Sequence, residues 1–389
     1  MLNRGWYTHE YFEGDERGMR TVLFTGGGTL GPVTPLLSAA RLLRERNPDV
    51  KIVWIGTLTG PEKELVERDG YEFLGLSAPK LDRTRFWTLP LVIPQFIVSS
   101  VKAYSLLQEI DPLVVVSAGA YVSVPVAFMA KLLGLPVIIE QLDVTPGIAN
   151  KLMAKVAQKI FVTWPENLKA FPKGKTEVAG ASVRRSMLLG EANLARERYG
   201  LRRPLPTVLV IGGGTGAASM NEMFLTIGPE LVKSANVIHL TGKGKMLSGL
   251  EKIGDGYKAV EFLGESLADA YALADVVVAR AGMGTIMEVS ALKKPTILVP
   301  IAGSHQEQNA QAVAGRGACV VIGGGSTPQH LLQAIQKLTQ DELKRADLSE
   351  AVGKLFPFGL DEGMVGAIEG FVIKDASPHE LGNAGQELV

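Results

Sequence analysis

A chain of 389 residues, 46% hydrophobic and 21% charged, is too long for one ordinary core and too apolar for a disordered or fibrous protein, so two domains are expected. Its 40 basic and 40 acidic side chains cancel, which removes any global field drawing it to nucleic acid or anionic lipid; such attraction would need a local patch. A single cysteine, Cys319, excludes a disulfide framework and fits a reducing compartment.

In chain order, residues 1–18 mix Arg, His, Glu and Asp with aromatics and lack the apolar stretch of a secretory signal. They read as an extension, with Met19 as the natural start. Thr21–Thr25 then predicts a strand, followed by glycines and a helix from Pro35 to about Arg46, Thr34 being its N-cap and Pro35 its first position. Lys51–Ile55, Leu113–Ser117, Pro136–Glu140 and Lys159–Thr163 are further strand candidates, separated by helical patterns such as Val101–Ile110 and Val124–Leu133. The polar stretch Gly180–Pro206 reads as a boundary, with helical periodicity over Glu191–Tyr199. Beyond it the pattern restarts with a strand at Thr207–Ile211, a second glycine-rich turn and a helix through Met220 and Met223. Strands follow at Val237–Leu240, Val276–Ala279, Thr296–Pro300 and Ala318–Ile322, the last holding Cys319 as a buried strand residue. Asp375–Val389 reads as a disordered tail. The alternation argues for the α/β class, with two Rossmann-like, doubly wound parallel sheets covered by helices on both faces. No apolar run reaches the ~18–20 residues of a spanning helix. The nearest, Leu89–Val98, is broken by Pro90, Pro94 and Gln95.

Four segments carry chemistry. Gly26-Gly27-Gly28-Thr29-Leu30-Gly31 satisfies G-x-G-x-x-G between a strand and a helix, where a phosphate can approach bare backbone at a helix N-terminus. A dinucleotide site also wants a carboxylate closing the next strand; here that strand ends Ile55-Gly56-Thr57, which counts against NAD or FAD, and a tight strand–helix turn with no ligand stays open. Gly212-Gly213-Gly214-Thr215-Gly216-Ala217 sits at the same place in the second half, so the two turns would face each other across a cleft. The run Ala274–Ala279 delivers Arg280 and the turn Gly282-Met283-Gly284-Thr285 to a third anion-binding helix start. Glu288, one turn further, suits either a ribose diol or the helix dipole. Ser304-His305-Gln306-Glu307-Gln308-Asn309 opens a helix with a density of amides, which read sugar hydroxyls by donating and accepting together, or simply make a polar helix start.

Together these segments resemble the MurG family, inverting N-acetylglucosaminyltransferases of the GT-B fold that convert lipid I to lipid II with UDP-N-acetylglucosamine at the cytoplasmic membrane face. The similarity runs from about Thr21 to Ile322 through Gly27–Gly31 with Pro35, Ala120–Ser123, Gly147 with Asn150-Lys151, Gly180 with Val183-Arg184, Gly212-Gly213, Gly242-Lys243-Gly244, Ala274–Val278, and Gln306 with Asn309-Ala310. The resemblance implies domains over 19–183 and 184–357, a helix near 358–374 packing back on the first, and a peripheral, bacterial enzyme of cell-wall synthesis serving cell shape and division. It implies that Thr29, Leu30 and Gly31 line the cleft beside the sugar, and that Arg184 and the Gly214-Thr215 turn meet the pyrophosphate. Leu263 would offer its backbone to uracil, Arg280 and Met283 to Glu288 would wrap phosphate and ribose, and Gln306 would hold sugar hydroxyls. No metal or other cofactor is implied, and the chain has no obvious Asp-x-Asp pair or His/Cys cluster.

The family histidine of the first glycine loop is Pro32 here, and the family His-Glu-Gln-Asn becomes Glu140-Gln141-Leu142-Asp143. An inverting transfer still needs a base, for which Asp143 is the first candidate and Glu140 the second, either being otherwise a structural carboxylate. Arg83, Arg85, Phe86, Trp87, Leu89, Leu91 and Ile93 mix basic and bulky apolar groups, as a membrane-docking face does, or a loop leading into a buried helix. The expected partners are UDP-N-acetylglucosamine, lipid I and the membrane surface, without nucleic acid. The alternatives are transfer to another lipid acceptor such as diacylglycerol, a UDP-N-acetylglucosamine epimerase, and a non-catalytic nucleotide-sugar-binding subunit.

Overall fold

A computed structural model describes residues 20–29, 31–80, 89–180, 182–201, 204–213, 218–357 and 360–373. The expected extension over 1–18, the tail from 375, Leu30, Gly214, Thr215 and the basic–aromatic run Arg83–Trp87 lie outside the described residues.

Parallel strands covered on both faces must be apolar along their whole length, and the uninterrupted β-branched runs of this chain meet that need. The first half contains β1 (Arg20–Thr25), α1 (Val33–Arg46), β2 (Val50–Thr57), α2 (Glu62–Arg68), β3 (Glu72–Leu76), α3 (Leu89–Ile110), β4 (Val114–Ser117), α4 (Ser123–Leu132), β5 (Val137–Gln141), α5 (Ile148–Met153), β6 (Lys159–Val162) and β7 (Thr176–Val178). The second contains α6 (Ala192–Arg198), β8 (Thr207–Ile211), α7 (Ala218–Leu231), β9 (Asn236–Leu240), β10 (Tyr257–Val260), α8 (Leu267–Leu273), β11 (Val276–Ala279), α9 (Met283–Ala291), β12 (Thr296–Leu298), α10 (His305–Ala314), β13 (Val320–Val321), α11 (Pro328–Gln340), α12 (Glu342–Gly353) and α13 (Leu360–Val372). They form a seven-stranded sheet in the order β3-β2-β1-β4-β5-β6-β7 and a six-stranded sheet in the order β10-β9-β8-β11-β12-β13. Every pairing is parallel. In each sheet the order reverses beside the first strand of its half, between β1 and β4 and between β8 and β11. Crevices open at such switch points, beyond the carboxyl ends of the strands.

Four local expectations need correction. Helix α1 starts at Val33 with Pro32 in the N-cap position and no side-chain cap, so Thr34 and Pro35 lie inside its first turn. The helix begun at Val101 starts instead at Leu89 and carries Pro94 inside it. The strand placed over Ala318–Ile322 shrinks to Val320–Val321, leaving Cys319 buried just before it, its thiol pushed up to about 12 by burial. Strands β3, β7 and β10 and helix α2 have no counterpart in the sequence reading, because their short runs carry charges and glycine.

The last described helix returns to the first half. Helix α13 packs on α1, where Asn47 Nδ2 donates to Glu369 Oε1 at 2.8 Å and Arg46 pairs with Glu362 at 3.3 Å. Phe356, just before it, meets Trp164 of the first half edge-on at 5.0 Å. A single buried apolar cluster runs from β1 and α1 through Trp164 and Phe356 into β8, β11 and α9, so the two sheets share core.

Candidate active site

The first glycine turn is organised by a residue the sequence did not single out. Glu62, on the first turn of α2, is fully buried. Its carboxylate accepts from Thr57 N–H at 2.7 Å, from the Thr57 hydroxyl, and from Gly28 N–H at 3.1 Å. A Cβ at Gly27 or Gly60 would collide with it, and Gly28 takes a φ of +78°, so glycine is required for the fit. An internal anion thus occupies the amide that a phosphate would have sought. Trp54 adds a hydrogen bond from its indole to Gly26 O at 3.0 Å. Thr29 and Gly31 stand exposed at the tip of the turn. Facing them, the loop after β4 holds Ala120 at a φ of +75°, a strained conformation of the kind that clusters at functional sites. Tyr121 in that loop lies against Gly28, and its hydroxyl is raised by burial and by the Glu62 charge.

The loop after β5 separates the two candidate bases. Glu140 lies within the strand and is fully buried, which does not suit a group that must reach an acceptor hydroxyl. Asp143, past the strand, is partly exposed. Its backbone carbonyl accepts from Gln141 Nε2 at 2.8 Å and Asn167 Nδ2 at 2.9 Å, while Gln141 Oε1 accepts from Asn150 Nδ2 at 2.7 Å. Its side chain reaches across to the second half. Oδ1 accepts from Asn309 Nδ2 at 2.9 Å, and His305 Nε2 lies 3.9 Å away. The buried Asn309 carboxamide also donates to Ala281 O at 3.2 Å and accepts from Val144 N–H at 3.1 Å. One side chain therefore fastens both halves at the carboxylate.

In the second half, Arg280 departs from its expected place on a phosphate. It is only 8% exposed and ties strand ends together, donating through Nη1 to Val299 O at 2.8 Å and through Nη2 to Ser219 Oγ at 2.5 Å. It braces the start of α7. Met283, the first residue of α9, is buried in the core, while Gly284 and Thr285 after it are half-buried. Glu288 accepts from the Tyr271 hydroxyl at 2.9 Å. Burial raises its carboxyl, and the Tyr271 hydrogen bond and the nearby Arg184 guanidinium pull it back. Arg184 is half-buried before a short 3-10 turn. The Leu263 carbonyl accepts from Ser266 N–H at 3.1 Å and from Ser266 Oγ at 2.6 Å, so that face of its backbone belongs to the turn. Gln306 folds back at the start of α10, its Oε1 accepting from Ile301 N–H at 3.2 Å, and its amide nitrogen lies beside Gly282.

The structure thus brings Asp143, His305, Gln306 and Asn309 together with the start of α9. Glu140 is withdrawn into the first sheet. Among the described residues no group of three or more His, Cys, Asp and Glu side chains is placed to hold a metal ion. Two residues escape the sequence reading: Glu62 hides in a charged helical stretch and Tyr271 reads as core, while Asn309, a marker of the resemblance and one of several amides, carries no sign of its contact with Asp143.

The description "Glycosyltransferase family 28 N-terminal domain" matches residues 22–162, and its C-terminal counterpart matches residues 207–358. A UDP-N-acetylglucosamine–N-acetylmuramyl-(pentapeptide) pyrophosphoryl-undecaprenol N-acetylglucosamine transferase of Lachnospira eligens is 36% identical over 340 residues, 87% of this chain and 91% of that one. A second transferase of that name, from Bacillus cereus, is 34% identical over 344 residues, 86% of this chain and 96% of its own. In fold, the crystal structure of Acinetobacter baumannii MurG superposes with a TM-score of 0.69 at 22% identity, covering 90% of this chain and 99% of that one. The two parallel-sheet halves are those of a GT-B glycosyltransferase, and the chain belongs to glycosyltransferase family 28 and, within it, to the MurG family.

Proposed function

We propose that this protein transfers N-acetylglucosamine from UDP-N-acetylglucosamine to an undecaprenyl-pyrophosphoryl N-acetylmuramyl-pentapeptide, lipid I, giving lipid II. The carrying observation is the similarity over 87% of the chain to a transferase whose name states that reaction. In this reading the acceptor hydroxyl attacks the anomeric carbon, the bond from that carbon to the UDP oxygen breaks, and the hydroxyl proton passes to Asp143. Asn309 anchors Oδ1 of that carboxylate, which leaves Oδ2 for the proton. Departing UDP carries negative charge toward the N-terminal ends of α7 and α9, where helix dipoles and free amides receive it. The Gly214-Thr215 turn with Arg184 meets the pyrophosphate, Leu263 lies at the base, Glu288 takes the ribose diol, and Gln306 holds sugar hydroxyls beside Thr29, Leu30 and Gly31.

Membrane docking belongs to the same proposal. On α3, Ile93, Ile97, Val98 and Val101 are 57%, 58%, 69% and 66% exposed, and Leu132 of the adjoining α4 is 70% exposed. Lys102 and Lys131 are exposed on the same two helices. An apolar face carrying cations suits shallow insertion among anionic headgroups. No described helix is long and apolar enough to cross a membrane.

Incubating the purified chain with UDP-N-acetylglucosamine and a lipid I analogue tests the reading. Disaccharide product is expected, and Asp143→Asn should lower turnover by roughly 10²–10⁴ with UDP affinity retained. Intact turnover in Asp143→Asn removes that residue as base. Pro32 in place of the family histidine favours a second reading, a nucleotide-sugar-binding subunit, which tight UDP binding without any transfer would support. Transfer to diacylglycerol instead would redirect the acceptor.

A further inference from the structure

Tyr271 is fully buried in α8, where phenylalanine would fill nearly the same space. A buried hydroxyl is costly unless it is paired, so its presence calls for a partner. That partner is Glu288 Oε2, 2.9 Å away. Burial pushes the phenol well above its ordinary range, with the Glu288 charge adding to the shift, so it stays a neutral donor. The carboxylate it meets is itself half-buried one turn into α9, and Arg184 is the other group acting on it. A free glutamate would sample several orientations of its last bond. Here one oxygen is anchored by a donor that cannot move, because the ring is held in the core.

We propose that Tyr271 is the positioning residue that fixes the Glu288 carboxylate for the ribose of the donor nucleotide, and so sets the preference for ribo- over 2′-deoxyribonucleotides. The proposal rests on the reading of Glu288 as the ribose ligand. A diol gains from a carboxylate whose plane is already set, since ordering is not charged against each hydrogen bond. Removing the anchor loosens recognition of the 2′-hydroxyl, while the rest of the nucleotide still binds.

The test compares the dissociation constants of UDP and 2′-deoxy-UDP by calorimetry, on the full chain and on Tyr271→Phe, Glu288→Gln and the double variant. The unaltered chain should prefer UDP by roughly tenfold or more, the scale of a hydrogen bond to a charged group. Tyr271→Phe should shrink the preference to roughly threefold with 2′-deoxy-UDP affinity unchanged, Glu288→Gln should abolish it, and the double variant should match Glu288→Gln. Full preference in Tyr271→Phe, or equal weakening of both nucleotides, overturns the role of Tyr271. A preference that survives Glu288→Gln overturns the ribose reading beneath it.

Discussion

Replacing Glu62 by alanine removes the acceptor for two backbone N–H groups, those of Thr57 and Gly28, and for the Thr57 hydroxyl. Glu62 and Thr57 are buried, so water is poorly placed to substitute for the lost carboxylate. The orphaned Thr57 amide is buried and costs about 1–3 kcal/mol, while the half-buried Gly28 amide, which water can reach, adds about 0.5–1 kcal/mol. Against this, the variant no longer buries a charge, which draws the net loss toward about 1–3 kcal/mol. Glu62→Gln keeps the volume and one acceptor but turns an amide N–H₂ toward a donor, so a smaller loss of about 1–2 kcal/mol is expected. Urea unfolding followed by tryptophan fluorescence suits the question, because Trp54 donates to the same turn through Gly26 O. Turnover should fall by roughly tenfold or more, since the turn it shapes lines the crevice of the first half, while UDP affinity stays within roughly twofold. A Glu62→Ala protein within about 0.5 kcal/mol of the parent would refute the hydrogen-bond argument. A tenfold loss of UDP affinity would show instead that this turn bears on the nucleotide itself.

Asn309→Ala deletes the two hydrogen bonds that join the halves, at Asp143 and Val144, and one within the second half, at Ala281, and should weaken closure by about 1–3 kcal/mol. Small-angle scattering should then show a larger radius of gyration, and an unchanged radius would mean the contact does not hold the cleft. His239 is buried against Tyr257, with Nδ1 2.7 Å from its hydroxyl, and burial lowers its pKa from 6.5 to about 3. The folded state therefore keeps the imidazole neutral, so this contribution is intact above pH 6.5 and drains away as pH falls toward 3. At pH 5.5 the loss should be about 1.4 kcal/mol, and His239→Gln should flatten that part of the stability–pH curve; an unaltered slope would contradict it. The pair Ile97→Glu and Val98→Glu should lower binding to anionic vesicles by roughly tenfold, about 1.4 kcal/mol, without slowing transfer to a soluble acceptor analogue; unchanged vesicle binding would move the membrane face elsewhere.

How much of this was legible follows from what each residue must satisfy. Strands such as Val276–Ala279 were readable to the residue, because burial on both faces demands unbroken apolar runs. Strand Glu72–Leu76 was not, because it carries Glu72 and Gly75 and only Leu76 is fully covered. Glu62 was invisible for a different reason. It shares α2 with Glu64 and Glu67, and nothing in Glu62–Arg68 says which carboxylate turns inward. Arg280 was legible as a charged residue at a strand's mouth but not in its role, since the carbonyls of Val299 and Pro300 that occupy it come from the loop after β12. The choice between Glu140 and Asp143 turned on where the strand ends, and strand β5 stops at Gln141.

The two glycine turns look interchangeable as sequences, yet their surroundings make them chemically opposite. In the first, the anion-seeking Gly28 amide is already satisfied by Glu62, and a buried carboxylate close beneath the turn repels a phosphate. In the second half a cation, Arg280, braces Ser219 at the start of α7. In the proposed reaction this contrast favours the start of α7 for the donor pyrophosphate and keeps phosphate off the Gly28 amide of the first turn. That division also accounts for tolerating Pro32 where the family has histidine. In the proposed mechanism Asp143, held at the junction by Asn309, supplies the proton acceptor from the loop after β5, and the first turn need only shape the crevice. Exchanging the two charges tests this directly: Glu62→Lys should create a competing phosphate site in the first half, seen as a second UDP-binding event in calorimetry, whereas a single unaltered site would show that backbone geometry, not charge, tells the turns apart.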